Sequence, residues 1–386
     1  MKRIAALILF AGCSSASSIV TRPAPATPGR LVIVGGALSA DNDAVYRAIL
    51  EARQGTGPFC VFPTAGATPD SDMASPVATF DRHGGRGTAT GVLISSLKPE
   101  TARDPAIVEQ IRRCSGFFFI GGVQSRVTAA FRPQGKSTPA YEALMERWRQ
   151  GAVVSGSSAG AAIMSDPMIA GGTSQAAMTS GLRRITYIGA DSDDSTGGVT
   201  IAPGLGFFKA ALADQHFLAR GRFGRLLTAM LAMDEFDLAF GIDENTALVV
   251  DRDSLRVVGA SGVVVFDERT AKRSGNSVTD VTMHLLGDGD RFDLRSRTPS
   301  FPKEIRVEPV RQSEVPVQNA FARLELLRAL TEFAGTRSMR LVMPYEGGRI
   351  EIRKQYDFSA TIYGGTGTQV GTRGLGMTGL RLDLVR

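Results

Sequence analysis

The sequence predicts an α/β protein: a mainly parallel sheet covered by helices on both faces, with a strand-rich second half and a C-terminal extension. Three observations lead there. Short, uniformly apolar runs alternate with amphipathic stretches up to about residue 165, the pattern of strands buried on both faces. Several of those runs end in small residues, such as Gly35-Gly36 and Gly121-Gly122, at the carboxyl ends where open parallel sheets bind ligands. Beyond residue 238 the apolar runs follow one another with turn residues rather than helices between them, an antiparallel trend.

Taken in order, Leu31–Val34 is a buried strand and residues 43–53 a helix with Val45, Ile49 and Leu50 on one face. Phe59–Phe62 is a second strand stopped by Pro63, and residues 91–94 a third. A helix over 106–113, a strand over 117–120, a helix over 141–150 and a strand over 152–154 follow, and Ser158 opens a helix through Met164. In the second half, residues 217–232 form a helix, and 238–241 with 247–250 form a hairpin around Asp243-Glu244-Asn245. Residues 257–258, 263–265, 283–286 and 291–294 continue the antiparallel unit. Thr298-Pro299-Ser300-Phe301-Pro302 is a linker signal, followed by a helix over 320–333, a hairpin over Glu346-Gly347-Gly348, and a Gly/Thr-rich tail. This divides the chain into a leader (1–29), a main domain (30–297) and an accessory region without visible chemistry (298–386).

The leader reads as an export signal. Met1-Lys2-Arg3 is basic, and residues 4–10 are apolar but too few to span a bilayer. Phe10-Ala11-Gly12-Cys13 resembles a lipobox, so either lipidation of Cys13 or simple cleavage near residues 13–18 is expected, giving an exported, periplasmic or outer-membrane lipoprotein or a secreted protein. Residues 14–29 are a Ser-, Ala-, Thr- and Pro-rich tether. The other two of the three cysteines, Cys60 and Cys114, sit in apolar surroundings. Two buried free thiols are the favoured reading, with a bridge as the alternative in an oxidising compartment.

The 386 residues carry a formal net charge of +6, with 43% hydrophobic and 21% charged residues. That is ordinary for a soluble globular protein. The charge suits an anionic or zwitterionic substrate and falls short of a nucleic-acid-binding surface.

The chemistry concentrates in three segments. Gly156-Ser157-Ser158-Ala159-Gly160 lies between a strand and a small-residue helix, the setting in which a tight turn exposes a serine nucleophile and the Ala159 N–H faces an oxyanion. Of the three histidines, His83 reads as a solvated loop residue and His284 as a core or edge residue, leaving His216 in Asp214-Gln215-His216-Phe217 as the base. Glu244 is the best carboxylate to orient it, with Asp243 and Asp214 as alternatives. The backbone of Gly121-Gly122-Val123-Gln124 could line the oxyanion site, and Gln124 could bind substrate. Arg220, Arg222 and Arg225 suggest an acidic substrate, because guanidinium groups pair with carboxylates. No aromatic platform accompanies them, which disfavours nucleic acid.

Together these segments resemble the cyanophycinase family of serine peptidases, relatives of the peptidase E-type aspartyl dipeptidases. The matching residues are Gly121, Gly122 and Gln124; Gly156 to Ala161; Asp214-Gln215-His216-Phe217 with the three arginines; and Gly241 to Ala247. The resemblance implies a sheet sandwich like that of class I glutamine amidotransferases and a triad Ser158, His216, Glu244. It also implies a pocket shaped by Gln124, Asp214, Gln215, Arg220, Arg222 and Arg225; from the residues themselves we add an oxyanion hole of Gly122, Val123 and Ala159 and no metal or cofactor. The implied reaction is exopeptidase cleavage of cyanophycin, an arginylated poly-aspartate, to β-Asp-Arg dipeptides. An aspartyl or isoaspartyl dipeptidase, an inactive secreted binding protein and an α/β-hydrolase esterase using His284 are the alternatives. Membrane anchoring through Cys13 and a homodimer are open. Val123, where a polar residue is expected, Ser157 in place of Thr, and residues 300–386 depart from the family pattern.

Overall fold

The computed structural model describes residues 27–187, 189, 197–301, 307–362 and 375–385. Cys13 and nearly all of the expected leader lie outside the described residues. Leu31–Val34, Phe59–Phe62 and Gly116–Phe119 are buried at every position, so each needs neighbours on both edges and cover on both faces. They obtain both in a nine-stranded sheet. Its parallel part runs Leu31–Val34, Val153–Ser157, Gly116–Phe119, Phe59–Phe62, Ala89–Gly91. Four antiparallel strands extend it beyond Leu31–Val34, beginning with Thr246–Asp251. A second, eight-stranded sheet is antiparallel except where Leu212–Asp214 pairs in parallel with Leu238–Ile242. The fold is thus mixed α/β, and the expected mainly parallel sheet holds only for its five-stranded part.

The strand alternation sorts side chains into layers. Val32, Val34, Phe59 and Val61 pack under Val45 and Ile49 of the helix Asp43–Glu51 and Phe80 of Ala74–Gly84. The opposite face carries Ile33, Phe62, Phe117 and Phe119, buried against Phe131 and Leu144 and against Phe240, Ile242 and Val265 of the second sheet. Burying each such aromatic stabilises by about 1.5–3 kcal/mol, so this shared layer is the main cohesive element between the sheets. The far face of the second sheet, with Val264, Phe266 and Met283, lies under the helices Phe223–Ala232 and Glu325–Ala334.

Several expectations are corrected. Leu238–Ile242 and Thr246–Asp251 are not a hairpin: they belong to different sheets, and Asp243-Glu244-Asn245 is the crossing between them. Apolar runs buried on both faces look alike whether the chain turns back or crosses over. The helix expected over 217–232 begins at Phe223, because residues 217–222 turn around His216 and Gly221, which has φ +58°. The helix after Ser158 spans only Ala159–Ala162, and the third strand is Ala89–Gly91 rather than 91–94. Thr298–Ser300, expected as linker, is an edge strand. Leu375–Val385 pairs with both Ser277–Leu286 and Gly348–Ile362, so strands from the accessory region continue the second sheet without a break. Cys60 and Cys114, read as separate thiols, form a disulfide with Cα atoms 5.9 Å apart; a separation of 54 residues gave no sign of that proximity.

Candidate active site

The site forms where the two sheets exchange chain. Val153–Ser157 ends at Ser158, whose backbone sits at φ 57°, ψ −110° before the short helix Ala159–Ala162. A non-glycine residue there stores about 1–3 kcal/mol of strain, which its surroundings must hold. The Ser158 N–H donates to Val34 O (3.1 Å), and the Ser158 carbonyl accepts from Ala161 and Ala162. A Cβ at Gly160 would overlap the Phe119 carbonyl, so the small residues of the pentad are a packing requirement of this turn.

His216 follows the strand Leu212–Asp214, also at positive φ (48°), with its N–H donated to Gly35 O at 2.6 Å. Its ring lies so close over Gly36 that any Cβ there would overlap it. Nε2 is 2.8 Å from Ser158 Oγ, and Nδ1 is 2.6 Å from Glu244 Oε1. With Nδ1–H donating to the carboxylate, Nε2 is left to accept from the serine hydroxyl. Burial, reinforced by the Arg220 and Arg222 charges, holds the imidazole below its ordinary 6.5 despite the Glu244 hydrogen bond, so the ring is neutral at neutral pH.

Glu244 is placed by residues that the sequence did not single out. Asn245 stands at φ 54° and donates its N–H to Gly36 O (2.8 Å), tying the crossing to the His216 contact. Asn42 Nδ2 donates to Asn245 O and Oδ1, while Asn42 Oδ1 caps the helix Asp43–Glu51. The available signal was an asparagine, tolerant of left-handed backbone, between two apolar runs. Asp243 and Asp214, the alternative carboxylates, are engaged elsewhere. Asp243 accepts from Ala219 N–H and Ser261 Oγ, bracing the histidine loop, and burial raises its pKa.

The substrate residues divide. Asp214 and Arg225 are both buried and paired bidentately; Arg225 also donates to Gly172 O (2.9 Å). Burial pushes the Asp214 carboxyl up, but the Arg225 charge and hydrogen bonds outweigh it and hold it below the usual range. The pair is therefore buried in the pocket's frame, held by its own charges. Gln124 Nε2 donates to Ala170 O (2.7 Å), and Arg222 Nη1 to Gln215 O (2.9 Å). Gln215 is buried with its Oε1 unpartnered among the described residues. The Arg220 side chain is 52% exposed, with Nε 3.8 Å from Glu244 Oε1. Arg220 and Arg222 open onto a cavity of about 860 Å³.

For an oxyanion, the expected donors also divide. Val123 N–H is already donated to Ala65 O (2.8 Å), which corrects its assignment. The N–H groups of Gly122 and Ala159 have no internal acceptor among the described residues. Gly122 is exposed, and a Cβ on the adjacent Gly121 would come 3.3 Å from Ser158 Cβ. Outside the site, His284 is buried, its pKa pushed down to about 4 by burial, with Nδ1 on Thr378 Oγ1 (3.0 Å). His83 sits near the end of a helix and stacks on Tyr46, rather than in a solvated loop. Among the described residues no cluster of three or more His, Cys, Asp or Glu side chains is placed to hold a metal ion.

Comparison with known proteins follows the same segments. The profile of Peptidase family S51 matches residues 31–258. A cyanophycinase from Nostoc sp. is 30% identical over 300 residues, covering 73% of this chain and 91% of its own. A cyanophycinase from Synechococcus elongatus is 32% identical over 206 residues, covering 50% of this chain and 58% of its own. A crystal structure of a peptidase from an acI-B1 Actinobacterium covers 70% of this chain and 98% of its own, at 18% identity and a TM-score of 0.47. With more than half its length matched by the family profile, and its relative in Nostoc spanned almost end to end, this chain belongs to peptidase family S51 and is a serine-type peptidase.

Proposed function

We propose that this peptidase is an exported cyanophycinase that hydrolyses multi-L-arginyl-poly-L-aspartate to β-Asp-Arg dipeptides through an acyl-enzyme on Ser158. The observation that carries the reading is the unbroken line Ser158 Oγ–His216–Glu244, set beside a cavity that Arg220 and Arg222 help to line. His216 Nε2 takes the Ser158 proton as Oγ attacks the backbone carbonyl carbon. The N–H groups of Ala159 and Gly122 receive the oxyanion, and Glu244 stabilises the imidazolium. His216 then gives its proton to the departing amine, and water, deprotonated by the same nitrogen, releases the acyl group and restores the serine.

Two features support the substrate. The 30% identical relatives are cyanophycinases, and the cavity lining includes two arginines suited to carboxylates. The two sheets sharing one buried layer support a class I glutamine amidotransferase-like sandwich. Export, with Cys13 lipidated or the leader simply cleaved, rests on residues 1–29; radiolabelled palmitate incorporation that is absent in the wild type, or that survives C13S, speaks against lipidation of Cys13.

The test is mass analysis of products from purified polymer. Release of β-Asp-Arg by the wild type, with S158A folded but reduced at least about 10⁴-fold, is expected. Cleavage of short aspartyl peptides with no release from the polymer transfers the reading to an aspartyl dipeptidase.

A further inference from the structure

Residues beyond the family match form one wall of the cavity beside the triad. Phe321 seats on the histidine block itself: a Cβ on Gly221 would overlap its carbonyl, and one on Gly224 would come 2.8 Å from its ring. Leu324 N–H donates to Leu218 O (2.9 Å), and Ala320 N–H to Pro344 O (3.0 Å). The last of these bonds joins the segment to the hairpin Arg340–Tyr345/Gly348–Ile362, whose Tyr345 ring lies 5.5 Å from that of Phe321. Gln175 Nε2, also on the cavity lining, donates to Glu346 O at 3.0 Å and pins the hairpin turn. So the turn has a fixed place on the cavity wall, and Glu346 and Asn319 share that cavity with Arg220 and Arg222.

Glu346 is exposed, and its carboxylate makes no ion pair among the described residues. The same cavity thus holds guanidinium groups contributed by the catalytic block and a carboxylate contributed by the C-terminal region. A purely anionic ligand would satisfy the first and be repelled by the second. A ligand bearing a carboxylate and, several bonds away, a cation satisfies both.

We propose that Glu346 is a specificity-determining residue that accepts the guanidinium of the substrate's arginyl side chain, while Arg220 takes its carboxylate, so that the C-terminal region completes this subsite. The assignment rests on the arginylated substrate proposed above. A solvent-facing ion pair is worth up to about 1 kcal/mol, so the expected effect is a selectivity change of about fivefold rather than loss of turnover.

The experiment compares β-Asp-Arg oligomers with isosteric oligomers carrying citrulline, whose side chain is neutral, for the wild type, E346Q and E346K. The ratio of kcat/KM for arginine over citrulline should fall about fivefold in E346Q and further in E346K, through KM with kcat retained. Labelling of Ser158 by a fluorophosphonate at the wild-type rate shows that each variant keeps its site. An unchanged ratio in an enzyme that cleaves the arginyl oligomer overturns the role of Glu346 and leaves the substrate reading standing. If the wild type cleaves neither oligomer, the substrate reading fails, and Glu346 is judged on a peptide library: loss of preference for basic side chains in E346Q upholds it, and an unaltered preference overturns it.

Discussion

Arg225 and Arg220 stand five residues apart in one short block and do opposite work. Arg225 enters the helix Phe223–Ala232, where its guanidinium is 5% exposed and locked to Asp214. Arg220 precedes that helix, half in solvent at the cavity mouth and 3.8 Å from Glu244. The difference teaches that a run of like charges beside a base is not one pocket. The helix start at Phe223 turns one arginine inward to hold Asp214, two residues before His216, and leaves the other at the cavity mouth, where its charge lowers the pKa of the base.

The largest effect expected from this contrast is on stability. R225M leaves the Asp214 carboxylate buried without its partner and should cost about 3–5 kcal/mol in denaturant unfolding, whereas D214L/R225M should recover much of that loss. Equal stability of the single and double variants would break the contrast. Next, E244Q removes the charge that supports the imidazolium and should lower kcat by about 10²–10⁴-fold with folding intact, read by steady-state kinetics. Smaller again, R220Q should shift stability by no more than about 0.5 kcal/mol while raising KM several-fold for an acidic substrate.

The finest distinction is in pH. In the proposed mechanism neutral His216 is the active form, and burial together with the Arg220 charge holds its pKa below 6.5, so the acid limb of kcat/KM should fall below that pH. Removing the Arg220 charge relieves one of the downward influences, so R220Q should move the limb to higher pH. A limb that stays in place, or moves down, separates Arg220 from the base.

Much of this was legible in local pattern. Leu31–Val34 and Phe59–Phe62 are apolar throughout and announce buried strands, and the small residues around Ser158 announce a tight turn before a helix. His216 emerged by elimination among three histidines. What failed were the readings that depend on partners distant in the chain. The crossing at Asp243-Glu244-Asn245 looked like a hairpin, since apolar strands on either side of a polar turn satisfy both arrangements. Asn42 drew no notice, and Asn245 read only as a turn residue, because the bond that joins them spans about two hundred positions. Val123 looked available as a donor until Ala65 was found accepting its N–H.

By itself, then, the sequence determined which segments are strands and helices and which residue types could attack, abstract a proton and carry charge, because side-chain chemistry and periodicity are local. The tertiary structure alone decided which of those groups meet. It passed the chain from one sheet to the other so that Glu244 reaches His216. It buried Asp214 with Arg225, where desolvated opposite charges are stable only together. It also carried Phe321 back across about a hundred residues onto the histidine block and brought the Glu346 turn against Gln175, because the second sheet needed its last strands and the helix Phe223–Ala232 needed a cover.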